Sequence, residues 1–234
     1  MPDFRTRSTL PERMDASGVS ETEIGKAMRE IERINKWLGG NKIIQNALSK
    51  LSWPKNAAPV TIMDLGCGGG DILRMVSNWG KKHHKSLRLI GVDINPIMTR
   101  LAGNHSRNYE DISFISMDVF DPALNEERPD IMICSLFTHH FDDEALIILL
   151  HRMNELSKRF VIINDLDRHW FAYYAIKLLT LLFRSPQLVR YDGPLSVARS
   201  LKRLEWESAL KKAGIESYTI RWRWAWRWEI IIKK

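Results

Sequence analysis

Apolar residues recur at two different spacings along this chain, and the change comes near residue 59. Before it, Ile24, Met28, Ile31, Ile34 and Leu38 fall three or four apart, which gathers them on one face of a helix. Ser20 and Glu23 supply a capping box at the start of that helix, and Gly39-Gly40 ends it. A second short helix follows over 41–51, and SWPKNAAP (52–59) reads as a loop. Residues 1–19 carry no periodicity and read as a flexible arm.

From Val60 onward, short continuous apolar runs alternate with helical patterns. VTIMDL (60–65), LRLIGVDI (87–94), ISFISMDVF (112–120), DIMICSLF (130–137) and RFVIIND (159–165) read as strands. Between them lie DILRMVSNW, stopped by Gly80, then NPIMTRLA with Asn95 as N-cap and Pro96 at the first helical position, and DEALIILLHRMNELS. Strands without polar alternation, each followed by a helix, predict a mostly parallel sheet covered on both faces. The last third differs: 169–183 is an apolar helix, 184–196 an irregular connection, and LEWESALKKAGI a helix ending at Gly214. YTIRWRWAWRWEIIIKK closes the chain as one or two strands. If it stays extended, Trp222, Trp224, Trp226 and Trp228 share one face and Arg221, Arg223 and Arg227 the other; a turn at 224–226 breaks that parity.

Composition narrows the class only slightly. With 234 residues, 44% hydrophobic and 27% charged, the chain suits a single globular domain. A net charge of +7 permits RNA or an anionic membrane as partner without demanding either. Cys67 and Cys134 lack any CxxC partner and read as reduced thiols of a cytoplasmic protein. The polar start is not a signal peptide, and Trp170 to Phe183, interrupted by Lys177, is too short to span a bilayer. Peripheral contact with a membrane stays open.

The chemistry concentrates in MDLGCGGGD, Met63 to Asp71. A strand ends at Asp64 and runs through Gly66, Gly68 and Gly70 into a helix, a turn on which a ligand can lie against bare backbone. Asp93 ends the next strand, at the separation that suits a carboxylate accepting hydrogen bonds from ribose hydroxyls. Asp118 closes the strand after it. There is no P-loop lysine, and the turn reads GxGxG rather than the GxGxxG of dinucleotide sites. The pattern favours a phosphate-free ligand.

In this order and spacing, DLGCGGGDIL, GVDINP, SMDVFD and DIMICSLFTHHFDDEA resemble the class I S-adenosylmethionine-dependent methyltransferases over about 59–168. The resemblance implies a Rossmann-like α/β fold: a mostly parallel seven-stranded sheet, helices on both faces, an antiparallel C-terminal hairpin and an N-terminal helical lid. It divides the chain into an arm and lid (1–58) and a core (59–234) with an inserted cap at about 169–203. It implies S-adenosyl-L-methionine as cofactor and S-adenosyl-L-homocysteine as product. Asp64, Gly66, Cys67, Gly68 and Gly70 would lie against the methionine moiety, with Ser135 nearby; Asp93 would hold the ribose, Ile94 would pack on the adenine, and Asp118 with Val119 would meet its amino group.

His139 and His140, in SLFTHHF, then fall just beyond the fourth strand, at the edge where open α/β sheets bind ligands. Either is a candidate general base; equally, they shape the loop. Adjacent residues on extended backbone point opposite ways, so at most one faces an acceptor, and no joint metal site is expected. Asn164, Arg168 and His169, in NDLDRHW, are candidates for the acceptor pocket, with Asp165 beside them. EIERINKWLGG and LVRYDGPLSVARSL resemble methyltransferases encoded beside polyketide synthases and, more distantly, those of quinone biosynthesis. That points to a small apolar aromatic acceptor, phenolic or quinol-like, with O-methylation ahead of C-methylation. The alternative is an RNA methyltransferase or RNA-binding module. The [DNS]PP[FY] and Pro-Cys motifs of nucleic-acid enzymes are absent, which makes nucleic acid the weaker partner.

Overall fold

A computed structural model describes residues 3–16, 18–54 and 58–234; part of the loop expected at 52–59 lies outside the described residues. One sheet of seven strands organises the chain: β1 (Val60–Leu65), β2 (Leu87–Asp93), β3 (Ile112–Ser116), β4 (Ile131–Ser135), β5 (Phe160–Leu166), β6 (Tyr218–Arg223) and β7 (Arg227–Lys233). Their order is β3-β2-β1-β4-β5-β7-β6, with β1 to β5 parallel and β7 antiparallel to both of its neighbours. The order reverses at β1, which pairs with β2 on one side and β4 on the other. That reversal opens a crevice at the carboxyl ends of the strands.

The two faces follow from the two-residue period of a strand. Met63, Leu65, Ile90, Val92 and Val161 point to one side, where α5 (Asp143–Leu156) and α8 (Arg203–Lys212) cover them with Leu149, Leu150 and the fully buried Trp206. Ile62, Leu89, Ile133 and Ile162 point to the other, under α2 (Gly40–Lys50) and α3 (Asp71–Lys82), which contribute Ile44, Leu48, Leu73 and Val76. Each such side chain contributes about 1.5–3 kcal/mol by leaving water, so both faces hold the sheet flat against its helices. A smaller cluster forms over the crevice, where Ile24 and Ala27 of α1 (Glu21–Trp37) meet Met98 of α4 (Pro96–His105) and Val189 of α7 (Gln187–Arg199). Ser20 makes the expected capping box, and Asn95 caps α4 by accepting from Ile97 N–H at 2.9 Å.

Three local expectations are corrected, and one left open is settled. α3 does not stop at Gly80 but runs on to Lys82. A Cβ at Gly80 would lie 2.4 Å from Leu87 Cδ1, so this glycine serves the close packing of helix on strand. The segment 184–196, read as irregular because of Gly193 and Pro194, is largely helical as α7. Packing on α6 (Trp170–Leu182) overrides the local breakers there: Ile176 Cγ1 sits 3.4 Å from where a Cβ at Gly193 would be. β3 ends at Ser116, leaving Asp118 in the following turn. Finally, the tail bends at 224–226, so the tryptophans do not share one strand face: Trp222 pairs with Trp228, while Trp224 and Trp226 leave the ladder.

The arm is also not free where it is described. Ser8 N–H donates to Ala198 O at 3.0 Å, Arg7 donates to Phe141 O at 2.7 Å, and Arg13 and Met14 N–H both donate to Asp192 at 2.8 and 3.0 Å. These bonds draw Glu12 and Met14 inward to burial.

Candidate active site

The glycine turn closes β1 onto α3. Gly66, Gly68 and Gly70 have φ of 67°, 49° and 73°, the left-handed region that other residues enter only at a cost. Gly66 is the strictest of them, because a Cβ there would lie 2.3 Å from the Phe137 ring. Asp93, at the end of β2, braces the turn: one carboxylate oxygen accepts from Gly68 N–H at 3.0 Å, the other from Asn95 N–H at 2.9 Å. Asp64 lies behind the turn, almost wholly buried, with Oδ1 unpartnered. Burial, followed by repulsion from Asp71 and Asp93, pushes its pKa well above the ordinary carboxylate range. A buried acid with an open oxygen beside a bare backbone turn is prepared to receive a cationic or hydrogen-bond-donating ligand.

The two histidines sit on a 3-10 turn, Thr138–His140, just after β4. Two arginines clamp that turn by its carbonyls: Arg199 donates to His139 O at 3.1 Å and His140 O at 2.8 Å, and Arg7 reaches Phe141 O. His139 is buried. Its Nδ1 pairs with Asp165 Oδ1 at 2.7 Å, and its Nε2 lies 3.4 Å from Glu12 Oε1. Asp165, at the end of β5, also accepts from His139 N–H and the Thr138 hydroxyl. Burial alone would lower the His139 pKa, but Asp165 and then Glu12 outweigh it and hold the imidazole up to about 10. Burial likewise works to raise the two carboxylates, and His139 outweighs it, so both stay below their usual range. The ring of His139 is held between two carboxylates, an arrangement that favours its charged form.

His140 is placed differently. Its side chain keeps 23% exposure; Nδ1 pairs with Asp15 at 2.9 Å, and Nε2 lies 3.8 Å from Glu12 Oε2. Glu12 thus stands between both Nε2 atoms, with a further bond from Ser196 Oγ at 2.8 Å. Glu12, His139 and His140 bring one ligand atom each to within 4.8 Å of one another. The sequence reading missed this grouping, because Glu12 lies in a polar arm with no motif around it.

Glu12, Asp15, His139 and His140 border one cavity of about 600 Å³ together with the glycine turn at the carboxyl edge of the sheet. Of the residues singled out in the sequence, Asp64, Gly66, Cys67, Gly68, Asp93, Ile94, Ser135, His139 and His140 line it. Apolar side chains also line it, from Ile31 of α1, Phe171, Ile176 and Leu179 of α6, and Val189 of α7. Arg227 of β7 also borders it, buried, with Nη2 donating to Asn35 Oδ1 at 2.7 Å and with Nε and Nη1 unpartnered.

Several candidates fall elsewhere. Gly70 is the N-terminal cap of α3, outside the cavity lining. Asp118 is exposed, with its carboxylate turned to Phe120 N–H, and Val119 is buried in the core. Asn164 is buried behind the wall, donating to Ser135 Oγ at 2.9 Å. Arg168 does not reach the cavity: its buried guanidinium is occupied by Glu205 at 2.7 and 3.0 Å and by the carbonyls of Phe4, Arg5 and Ser200. His169 caps α6 by accepting from Phe171 N–H, and its ring stacks on Trp226. None of these three residues lines the cavity.

Comparison with known proteins agrees with this layout. Residues 62–159 match the family described as "Methyltransferase domain". No curated protein sequence matches the chain. Among solved structures, human N-acetylserotonin methyltransferase in complex with SAM superposes with a TM-score of 0.64 at 19% identity over 92% of this chain. This chain spans 56% of that protein's length. The plantazolicin methyltransferase in complex with SAH gives 0.64 at 18% identity, covering 92% of this chain and 96% of its own. A SAM-dependent methyltransferase from Aquifex aeolicus gives 0.65 at 12%, covering 92% and 98%. Residues 62–159, with the glycine turn and the sheet reversal beside it, match a methyltransferase domain, and the chain shares the fold of these S-adenosylmethionine-dependent methyltransferases.

Proposed function

We propose that this protein transfers a methyl group from S-adenosylmethionine to the oxygen of a small apolar aromatic acceptor, a phenol or quinol. One observation carries the reading: a single cavity is lined by the glycine turn and Asp93, by His140 and by apolar side chains of α6 and α7. The open Asp64 oxygen and the bare backbone at Gly66 and Gly68 suit the cationic methionine portion, and Asp93 suits the ribose. When bound, S-adenosylmethionine supplies an electrophilic methyl group on a sulfonium.

The chain's own task is alignment and proton removal. A phenol has a pKa near ~10, so it needs a base to become a good nucleophile at neutral pH. His139, with Asp165 and Glu12 facing its two ring nitrogens, is engaged on both sides and is the poorer base. His140 borders the cavity, and Glu12 lies where it steadies the imidazolium once His140 has accepted it. His139 and Asp165 are positioning residues that fix Glu12 and the turn. The unpartnered Nε–H and Nη1–H of Arg227 suit a second oxygen of the acceptor. Phe171, Ile176 and Leu179 suit its ring or alkyl chain and do not suit the alternative of an RNA acceptor. Cys67 and Cys134, both free and buried, are compatible with a reducing, cytoplasmic compartment.

Calorimetric titration of S-adenosylhomocysteine into wild type and Asp93→Ala tests the cofactor end. The wild type should bind and the variant should not; a folded wild type that fails to bind overturns the reading. With alkylphenols and quinols as acceptors, His140→Ala should cut kcat by about 10²–10⁴-fold, the usual contribution of a general base. Turnover unchanged by His140→Ala would remove it from that role.

A further inference from the structure

The most apolar helix of the chain is nearly its least buried. α6 reads WFAYYAIKLLTLL, yet Thr180 is its only buried residue. Its inner side lines the cavity through Ile176 and Leu179. Its outer side shows Trp170, Tyr174, Leu178, Leu181 and Leu182 to solvent, the last at 70% exposure. These positions recur three, four or seven to eight apart, so they form a continuous stripe along the helix. A plain core helix is thereby excluded.

The stripe extends at both ends. Beyond its carboxyl end, Phe183 packs edge-on against Trp37, itself 73% exposed. At its amino end, Phe171 stacks on Trp226 at 4.8 Å, and Trp226 contacts Trp222 and Trp224, both exposed on the hairpin. Exposed apolar patches of this kind mark binding surfaces, and tryptophans at the border of such a patch suit the headgroup level of a bilayer.

Charge identifies the partner. Beside Leu181 lies a second cleft, about 440 Å³, whose lining includes Arg13, Lys177 and Arg190 and no carboxylate. The exposed Lys36 and Arg184 adjoin Trp37 and Phe183 in sequence, and Arg33, paired with Glu30 at 2.8 Å, lies over the Phe183 ring. A second copy of the chain would bring cations against cations at this face; an anionic bilayer would bring phosphates. No helix among the described residues is long and apolar enough to cross a membrane, so the helix would lie in the interface plane.

We infer that the outer face of α6 and the hairpin tip dock onto an anionic phospholipid surface, with the Arg13, Lys177 and Arg190 cleft taking a lipid phosphate. Docking itself does not depend on the reaction. Its consequence does rest on the function proposed above: an acceptor with an alkyl chain would pass from the bilayer past α6 into the cavity that α6 walls.

Flotation of the full chain with vesicles tests this without cofactor or acceptor, so its failure is separate from failure of the methyltransferase reading. The chain should float with equal parts phosphatidylcholine and phosphatidylglycerol and stay behind with phosphatidylcholine alone. Lys177→Gln with Arg190→Gln should weaken binding roughly thirtyfold, from about 1 kcal/mol for each cation near a charged surface. Leu178→Glu with Leu182→Glu should abolish flotation while leaving S-adenosylhomocysteine affinity and thermal melting unchanged, since neither leucine lines the cavity. No flotation of the wild type on anionic vesicles overturns the inference. So does a wild-type dimer that the two glutamates convert to monomer, because that assigns the face to a second copy.

Discussion

Asp165→Asn is the sharpest test of the charge arrangement in the site. Asp165 is 1% exposed and accepts from the Thr138 hydroxyl, His139 N–H, His139 Nδ1 and Leu166 N–H. Asparagine keeps the shape, but it offers one acceptor oxygen and no charge. A buried imidazolium then loses its nearer counter-ion, a loss worth about 3–5 kcal/mol for a buried pair. For a chain of this size that lowers Tm by on the order of 10 °C. The pH dependence gives a second readout. The His139 pKa is raised from 6.5 to about 10, so its contribution is complete below 6.5 and drains away as pH rises through about 10. The Asp165 pKa is lowered from 3.8 to about 2, so its contribution is complete above 3.8 and is lost as pH falls through about 2. Wild-type stability should therefore fall on the alkaline side of neutrality, and in Asp165→Asn that fall should be shallower, since only Glu12 still raises His139. Denaturant unfolding across pH measures both, and NMR titration of the His139 ring reports its charge directly. A loss under ~1 kcal/mol with an unchanged alkaline slope, or a His139 ring that titrates near 6.5, would refute the imidazolium assignment.

Gly66→Ala should abolish S-adenosylhomocysteine binding and cost about 1–3 kcal/mol of stability, because φ of 67° is strained for alanine and its Cβ would drive into Phe137; calorimetry and unfolding check the two effects. Arg168→Met should lower stability by about 3 kcal/mol through the lost bonds to Glu205 and three carbonyls, yet leave KM for any acceptor unchanged. A raised KM at full stability would return Arg168 to the acceptor pocket. Arg227→Met should raise KM for acceptors with two neighbouring oxygens more than for simple phenols, as steady-state kinetics on the pair of substrates would show.

The sequence by itself determined the sheet and the glycine turn with Asp93 beside it. Continuous apolar strands alternating with helices allow few arrangements, and a glycine turn that must come within 3.0 Å of the next strand's carboxylate leaves its spacing in the chain. Those features are local or lie one βα unit apart, so pattern alone reveals them. Tertiary structure decided the rest. Glu12 meets His139 and His140 only because Arg7, Ser8, Arg13 and Met14 tie the arm across the sheet edge, a long-range closure that no local signal records. Arg168 and His140 are both polar residues beyond strand ends, yet one is occupied by Glu205 and the other borders the cavity. The segment around Gly193 and Pro194 became helix because α6 packed against it, and packing outweighs propensity. The apolar run at 170–182 was legible as a helix, but periodicity cannot distinguish a core helix from one left uncovered. Only the positions of its neighbours show that one side walls the cavity and the other meets solvent.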